Sequence, residues 1–136
     1  MWFEGCPHHC KNCHNEHLWK HDKNFKLNQS KIIELCKIRK KLSILGGEPF
    51  APYNKDELLE LLIKIRKEVP DCSIYVWTGY EFDDLKDLPQ LKYIDKLICG
   101  KFIEEQKVEN AMYGSDNQYI VDVQKSLIDN KLNIIG

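Results

Sequence analysis

Residues 42–80, LSILGGEPFAPYNKDELLELLIKIRKEVPDCSIYVWTGY, contain two apolar runs separated by a long amphipathic segment. Asn54 stands at the start of that segment, and Glu57 lies three residues after Asn54. This spacing predicts a helix that begins with a capping box. Pro70 ends the helical pattern. The apolar positions that recur at helical spacing, and that we expect to be buried, are Leu58, Leu61, Leu62, Ile65 and Val69.

The two apolar runs that flank this helix are predicted β-strands. The first, LSIL, ends at two glycines, and the second, SIYVW, is rich in β-branched and aromatic residues. A strand, a helix and a second strand in this order form a βαβ unit, which requires the two strands to be parallel. The stretch therefore predicts an α/β fold built on a mostly parallel sheet.

The rest of the chain continues this alternation. A short first strand is predicted in MWFEG, a helix in NQSKIIELCKIRKK, a short helix in EFDDLKDLP and a strand in YIDKLICGKF. On the first helix we expect Ile32, Leu35 and Cys36 to share the buried face. Near the C-terminus, YIVDVQKSLI is compatible with a strand or a helix, and KLNII with a last strand.

The composition narrows the possible functions. The 136 residues are 43% hydrophobic and 30% charged, with a formal net charge of −1, which predicts a single folded domain over residues 1–136. A net charge this close to zero gives no indication of the basic surface that nucleic-acid binding needs. No run approaches the roughly 20 apolar residues of a membrane span, and no secretory signal is visible, so we expect a cytoplasmic protein.

Unusual motifs follow each predicted strand. In parallel α/β folds the carboxyl ends of the strands lie at one edge of the sheet, where ligands bind. We therefore expect these motifs to converge in space. They are the cysteine segment after the first strand, Gly46-Gly47-Glu48, Thr78-Gly79-Tyr80 and Cys99-Gly100-Lys101.

The cysteine segment, CPHHCKNCHN at residues 6–15, indicates a metal centre. Cys6, Cys10 and Cys13 provide three closely spaced thiolates and no obvious fourth. A zinc site can be completed by a histidine, so a small zinc-stabilised interaction domain without catalysis is one interpretation. The alternative is a [4Fe-4S] cluster, in which three thiolates leave one iron open to a substrate. We expect the histidines of this segment (His8, His9, His14 and His17) to be solvent-facing, and Cys36, Cys72 and Cys99 to be buried small hydrophobic residues.

The spacing Cys6-xxx-Cys10-xx-Cys13 resembles the signature of the radical S-adenosylmethionine enzymes. The continuation CHN is similar to the activating enzymes of glycyl radical enzymes. The motifs LGGEPF, WTGYEFDDL, GKFIEEQK and GSDNQYIVDVQKSL follow in the order of the anaerobic ribonucleotide reductase activating proteins. The resemblance covers nearly the whole chain. It implies a radical S-adenosylmethionine domain that forms a short partial (β/α) barrel. Relatives usually carry a longer segment before the cysteines, whereas this chain begins five residues before Cys6, so we expect the N-terminal strand to be short or missing.

The resemblance also implies a mechanism. Cys6, Cys10 and Cys13 would hold a [4Fe-4S] cluster whose open iron binds S-adenosylmethionine. Reductive cleavage would give a 5′-deoxyadenosyl radical, which takes a hydrogen atom from a glycine of the large subunit of the anaerobic ribonucleotide reductase. Flavodoxin or ferredoxin is the implied electron donor. The cofactor-binding residues implied by the matching motifs are Gly46, Gly47, Glu48, Thr78 and Tyr80.

Individual roles in this implied site follow from chemistry. Glu48 can accept a hydrogen bond from the ammonium group of S-adenosylmethionine, and Tyr80 can stack on its adenine. Ser115, Asn117 and Gln118 either face the cofactor or the partner, or stabilise a loop through bonds from side chain to backbone. At Cys99 the family commonly has an aspartate, whose charge a thiol does not replace. Activation of another glycyl radical enzyme, such as pyruvate formate-lyase, and the zinc-stabilised domain remain the alternative functions.

Overall fold

The computed structural model describes residues 2–3, 8, 29–109 and 111–135. Within these ranges the chain forms a sheet of five strands, in the order β1-β2-β3-β4-β5. The strands are β1 (Trp2–Phe3), β2 (Lys41–Gly46), β3 (Ser73–Trp77), β4 (Lys96–Cys99) and β5 (Tyr119–Asp122). The helices are α1 (Gln29–Arg39), α2 (Lys55–Glu68), α3 (Phe82–Leu85) and α4 (Val123–Asp129), with short 3-10 helices at Pro89–Tyr93 and Glu104–Gln106.

The sheet is mostly parallel, as the sequence predicts, and it is open over the described residues. Strands β1 to β4 run parallel to one another, and β5 joins β4 antiparallel. The described part of β1 is two residues long. The C-terminal segment KLNII, predicted as a last strand, does not form a full strand. It contributes an isolated antiparallel bridge between Val121 and Ile134.

Helix α2 supplies the centre of the core. All five apolar residues predicted for its buried stripe are fully buried: Leu58, Leu61, Leu62, Ile65 and Val69. The helix contacts both α1 and the 3-10 helix Pro89–Tyr93. Along β2 and β3 the burial alternates, because successive side chains of a strand point to opposite faces. Leu42, Ile44, Ile74 and Val76 therefore pack into the core with α2.

Two local predictions were wrong. Asn54 lies at the start of α2 with helical φ and ψ, and its side chain caps no helix N–H. Its amide instead donates to the carbonyl of Glu48, at 2.9 Å. On α1 the buried residues are Ile33 and Cys36, while Leu35 is 50% exposed. Two positions along a helix rotate by about 200°, so a helix that buries Ile33 turns Leu35 away from the core.

The predicted core cysteines are buried. Cys36 on α1, Cys72 before β3 and Cys99 at the end of β4 are at most 2% exposed. Burial raises the pKa of Cys36, and it raises the pKa of Cys72 to about 11. These thiols remain protonated at neutral pH and act as core residues. In the described part of the chain, no helix is long and apolar enough to cross a membrane.

The packing of α2 predicts a large difference between two adjacent residues. Leu62 is fully buried, whereas Ile63 is 44% exposed. We expect Leu62→Ala to lower the free energy of unfolding by about 2–5 kcal/mol, because it removes apolar contacts and leaves a cavity. Ile63→Ala serves as the control and should cost about 1 kcal/mol or less. Urea unfolding under anaerobic conditions measures both, and equal losses would contradict this account of the core.

Candidate functional site

The motifs after β2, β3 and β4 meet at the carboxyl edge of the sheet. Gly46 ends β2, paired with Phe3 at the end of β1, and Trp77 at the end of β3 pairs with Ile98 of β4. Gly46 has a φ of +110°, which side chains with a Cβ rarely adopt. The convergence predicted from parallel topology is confirmed for these segments. Cys6, Cys10 and Cys13 lie outside the described residues.

The centre of this edge is the carboxylate of Glu48, which is fully buried. Its Oε2 accepts hydrogen bonds from the hydroxyl of Thr78 at 2.7 Å and the backbone N–H of Phe50 at 3.0 Å. Its Oε1 accepts from the backbone N–H of Gly79 at 2.7 Å and lies 2.7 Å from Nε2 of His8. Because an ionised carboxylate only accepts hydrogen bonds, His8 is the donor in this last contact. Four donors thus surround one buried charge.

Backbone contacts join the neighbouring segments to this carboxylate. The hydroxyl of Thr78 also accepts a hydrogen bond from the N–H of Tyr80, at 3.1 Å. The N–H of Thr78 donates to the carbonyl of Ile98, at 2.9 Å, and the N–H of Gly100 to the carbonyl of Tyr80, at 3.0 Å. The ends of β2, β3 and β4 therefore form one hydrogen-bonded unit.

The side chain of His8 is turned inward at this edge, contrary to the expectation that it faces solvent. Its side chain is 6% exposed. Its ring packs edge-on against Tyr80, with ring centroids 4.6 Å apart and planes at 75°. It also covers Gly79, where a Cβ would lie only 2.5 Å from Cδ2 of His8. The absence of a side chain at Gly79 makes this close approach possible. His9, His14 and His17 lie outside the described residues.

A cleft of about 610 Å³ opens beside these residues. His8 and Tyr80 contribute rings to its lining, and Lys101 adds a cation to the acidic side chains of Glu81 and Asp84. Gly46, Gly47 and Tyr80 are partly exposed, whereas Thr78 and Glu48 are buried. All five predicted cofactor-binding residues lie at this edge of the sheet. Their contact with a cofactor stays a prediction. For Glu48, the structure adds that four protein donors already occupy its carboxylate.

The residues Ser115, Asn117 and Gln118 stabilise a loop. Oε1 of Gln118 accepts from the N–H groups of Gly114 and Ser115, and its Nε2 donates to the carbonyl of Gly100 at 2.8 Å. Asn117 donates to the carbonyl of Lys101 at 2.8 Å, and the Ser115 hydroxyl accepts from the N–H of Ile103 at 3.1 Å. These bonds fasten the start of β5 to the segment that leaves β4. Asn117 also lines the cleft.

Cys99, the last residue of β4, pairs with Tyr119, the first residue of β5. Burial, with smaller contributions from the charges of Glu81 and Glu48, raises the pKa of Cys99 far above its usual value. Burial and a hydrogen bond to Glu81 likewise raise the pKa of Tyr119. The Tyr119 hydroxyl donates to Glu81 at 2.6 Å and accepts from the N–H of Phe82 at 3.0 Å. Both groups are neutral at physiological pH, so this position contributes no charge to the cleft.

Sequence reasoning did not single out His8 among the histidines of its segment. Its partner Glu48 is 40 residues away in the chain. The available signal was its position, midway between Cys6 and Cys10, in a segment expected to reach the same sheet edge as Glu48.

Comparison with known proteins identifies related chains. A family model described as a 4Fe-4S single cluster domain matches residues 1–121. The anaerobic ribonucleoside-triphosphate reductase-activating protein of Vibrio cholerae is 38% identical over 130 residues, covering 88% of this chain and 84% of that protein. The protein of the same name from Enterobacteria phage T4 is 32% identical over 123 residues, covering 87% of this chain and 79% of that protein. The protein of the same name from Escherichia coli K12 is 33% identical over 130 residues, covering 88% of this chain and 84% of that protein.

A search of solved structures gives no significant match. The sequence relationships extend over most of both chains. The chain belongs to the family of anaerobic ribonucleoside-triphosphate reductase-activating proteins and carries its 4Fe-4S single cluster domain.

Proposed function

We propose that this protein generates a glycyl radical on the large subunit of the anaerobic ribonucleotide reductase, using a [4Fe-4S] cluster and S-adenosylmethionine. The names of its relatives support this target over another glycyl radical enzyme. The matching family model supports an iron–sulfur cluster over zinc. We assign residues 1–136 to one radical S-adenosylmethionine domain with a partial (β/α) barrel. We place the protein in the cytoplasm, with flavodoxin or ferredoxin as electron donor.

The observation that carries this proposal is the position of His8. It lies two residues from Cys6 and two from Cys10 in the chain, and its ring contacts Glu48, Gly79 and Tyr80. Consecutive Cα atoms are 3.8 Å apart, so two peptide links allow no more than about 7.6 Å between the Cα atoms of His8 and either cysteine. Chain connectivity to His8 therefore supports a position of Cys6 and Cys10 near the Gly-Gly-Glu and Thr-Gly-Tyr motifs.

The donor set fits the proposed cluster. Cys6, Cys10 and Cys13 would hold three irons through thiolates, the usual ligands, and leave the fourth iron open. When bound, the cluster would supply one electron for the reductive cleavage of a carbon–sulfur bond of S-adenosylmethionine, which is the chemistry that radical formation on the reductase glycine requires.

The protein's own residues position the substrate and shield it. Gly46 and Gly47 leave room for close approach of a ligand to their backbone. Tyr80 offers a ring face or edge to the adenine, and Thr78 holds the N–H of Tyr80 in place through its hydroxyl. Glu48 contributes a buried negative charge, either directly toward the ammonium group or through the residues that it organises. Cys99 at the end of β4 is fully buried in the core and adds no charge there.

Cysteine variants test the assignment of the metal ligands. We expect Cys13→Ala to lose most of its iron and sulfide after anaerobic reconstitution, because one of three thiolate ligands is removed. Cys36→Ala is the control, since Cys36 is buried on α1, and it should keep the wild-type iron content. Iron and sulfide analysis with visible absorption measures both. A Cys13→Ala protein with a full cluster, or colourless wild-type protein that binds zinc instead, would contradict the assignment.

Electron paramagnetic resonance tests the substrate site. The spectrum of the reduced cluster should change when S-adenosylmethionine is added, because the open iron gains a ligand. In Tyr80→Leu we expect the concentration for half-maximal change to rise about two- to thirteenfold, as aromatic stacking contributes about 0.5–1.5 kcal/mol. Tyr93→Leu, before β4 at the opposite edge of the sheet, should leave it unchanged. A wild-type spectrum indifferent to S-adenosylmethionine would refute an open iron.

A further inference from the structure

We propose that His8 is a positioning residue that anchors the cysteine segment on the buried carboxylate of Glu48. The proposal rests on the function proposed above, in which Cys6 and Cys10 are ligands of the cluster. It assigns His8 to neither metal binding nor catalysis. It also gives Glu48 a specific task, which is to hold the segment through His8.

The contact between these residues has the features of a fixed anchor. Nε2 of His8 lies 2.7 Å from Oε1 of Glu48, and the two side chains are 6% and 0% exposed. A hydrogen bond to a charged group that is shielded from water is stronger than one between neutral groups. The edge-on packing against Tyr80 restricts the ring further. A chance surface contact would have neither the burial nor the second partner.

Glu48 is itself immobilised by groups outside the cysteine segment. Thr78 and Phe50 donate to its Oε2, and Gly79 donates to the oxygen that His8 shares. The amide of Asn54 holds its backbone carbonyl at 2.9 Å. These donors belong to the end of β3, the turn after β2 and the start of α2. Glu48 therefore belongs to the rigid sheet edge, and His8 is the group that attaches to it.

The position of His8 in the chain makes this anchor effective. Cys6 and Cys10 lie on either side of it at equal distance in sequence. When His8 is held in place, both cysteines are restricted, because the Cα atom of each can lie no more than about 7.6 Å from the Cα atom of His8. Residues that hold metal ligands in position without binding the metal matter for affinity. Mutating such a residue commonly lowers metal affinity by about 10–100-fold.

The same geometry bears on the predicted contact between Glu48 and a substrate ammonium group. A carboxylate has about four acceptor positions, and here four protein donors occupy them. An ammonium group can take a place at Oε1 when His8 leaves it. Anchoring by His8 and direct binding of the ammonium group therefore compete for the same oxygen, which makes the two roles separable by experiment.

The first test compares variants of His8 in reconstituted protein. We expect His8→Ala to lose iron to a chelator about tenfold faster than the wild type. His8→Gln should stay within about threefold of the wild type, since its amide can donate to the same carboxylate oxygen. His9→Ala is the matched control for removal of an imidazole from the same segment and should match the wild type. The electron paramagnetic resonance spectrum of the reduced cluster should shift in His8→Ala and be restored in His8→Gln.

A double-variant comparison tests the contact itself. Gly79→Ala places a Cβ 2.5 Å from Cδ2 of His8, so it should displace the ring and speed iron loss as much as His8→Ala does. Combining the two changes should add little, because the anchor is already lost in either single variant. Independent effects would instead multiply, and that result would overturn the proposal.

Other outcomes are also decisive. Wild-type iron retention in His8→Ala, or an equal loss in His9→Ala, would refute anchoring by His8 while leaving the proposed function intact. Unchanged iron retention with tighter binding of S-adenosylmethionine in His8→Ala would assign Glu48 to the substrate ammonium group instead. Failure of the wild-type protein to take up any cluster would refute the proposed function itself.

Discussion

The burial of the Glu48 carboxylate constrains the whole candidate site. Removing a carboxylate from water costs several kcal/mol unless other groups replace its hydrogen bonds. Here the replacement comes from the hydroxyl of Thr78, from two backbone N–H groups and from the ring of His8. Each donor must sit within hydrogen-bond distance, so the charge fixes the relative positions of the segments after β2 and β3. The candidate site is organised by this one group.

Much of the scaffold around this charge could be predicted from sequence, because it depends on strong local periodicity. The stripe from Leu58 to Val69 specifies which face of α2 is buried, and parallel strands bring their carboxyl ends to one edge. Leu35 was misplaced because the apolar pattern of α1 is weak. The cap predicted at Asn54 failed because its amide is used for a contact with Glu48 that no local pattern encodes.

The site was predictable in outline and not in its contacts. The motif containing Gly46, Gly47 and Glu48 and the motif containing Thr78 and Tyr80 do converge, as topology requires. The role of His8 depends on a partner 40 residues away and on the missing side chain at Gly79. The loop-stabilising role of Gln118 likewise depends on backbone groups supplied by Gly100 and Gly114. Such pairings become visible only when the fold places distant segments together.

The most direct test of the account is radical formation on the proposed target. The reconstituted protein, S-adenosylmethionine and a reductant would be mixed anaerobically with the large subunit of an anaerobic ribonucleoside-triphosphate reductase, and electron paramagnetic resonance would be recorded. The account predicts a carbon-centred radical on the large subunit, with release of methionine and 5′-deoxyadenosine. A reduced, intact cluster that yields no radical and no cleavage, on a large subunit that its own activating protein does activate, would contradict it.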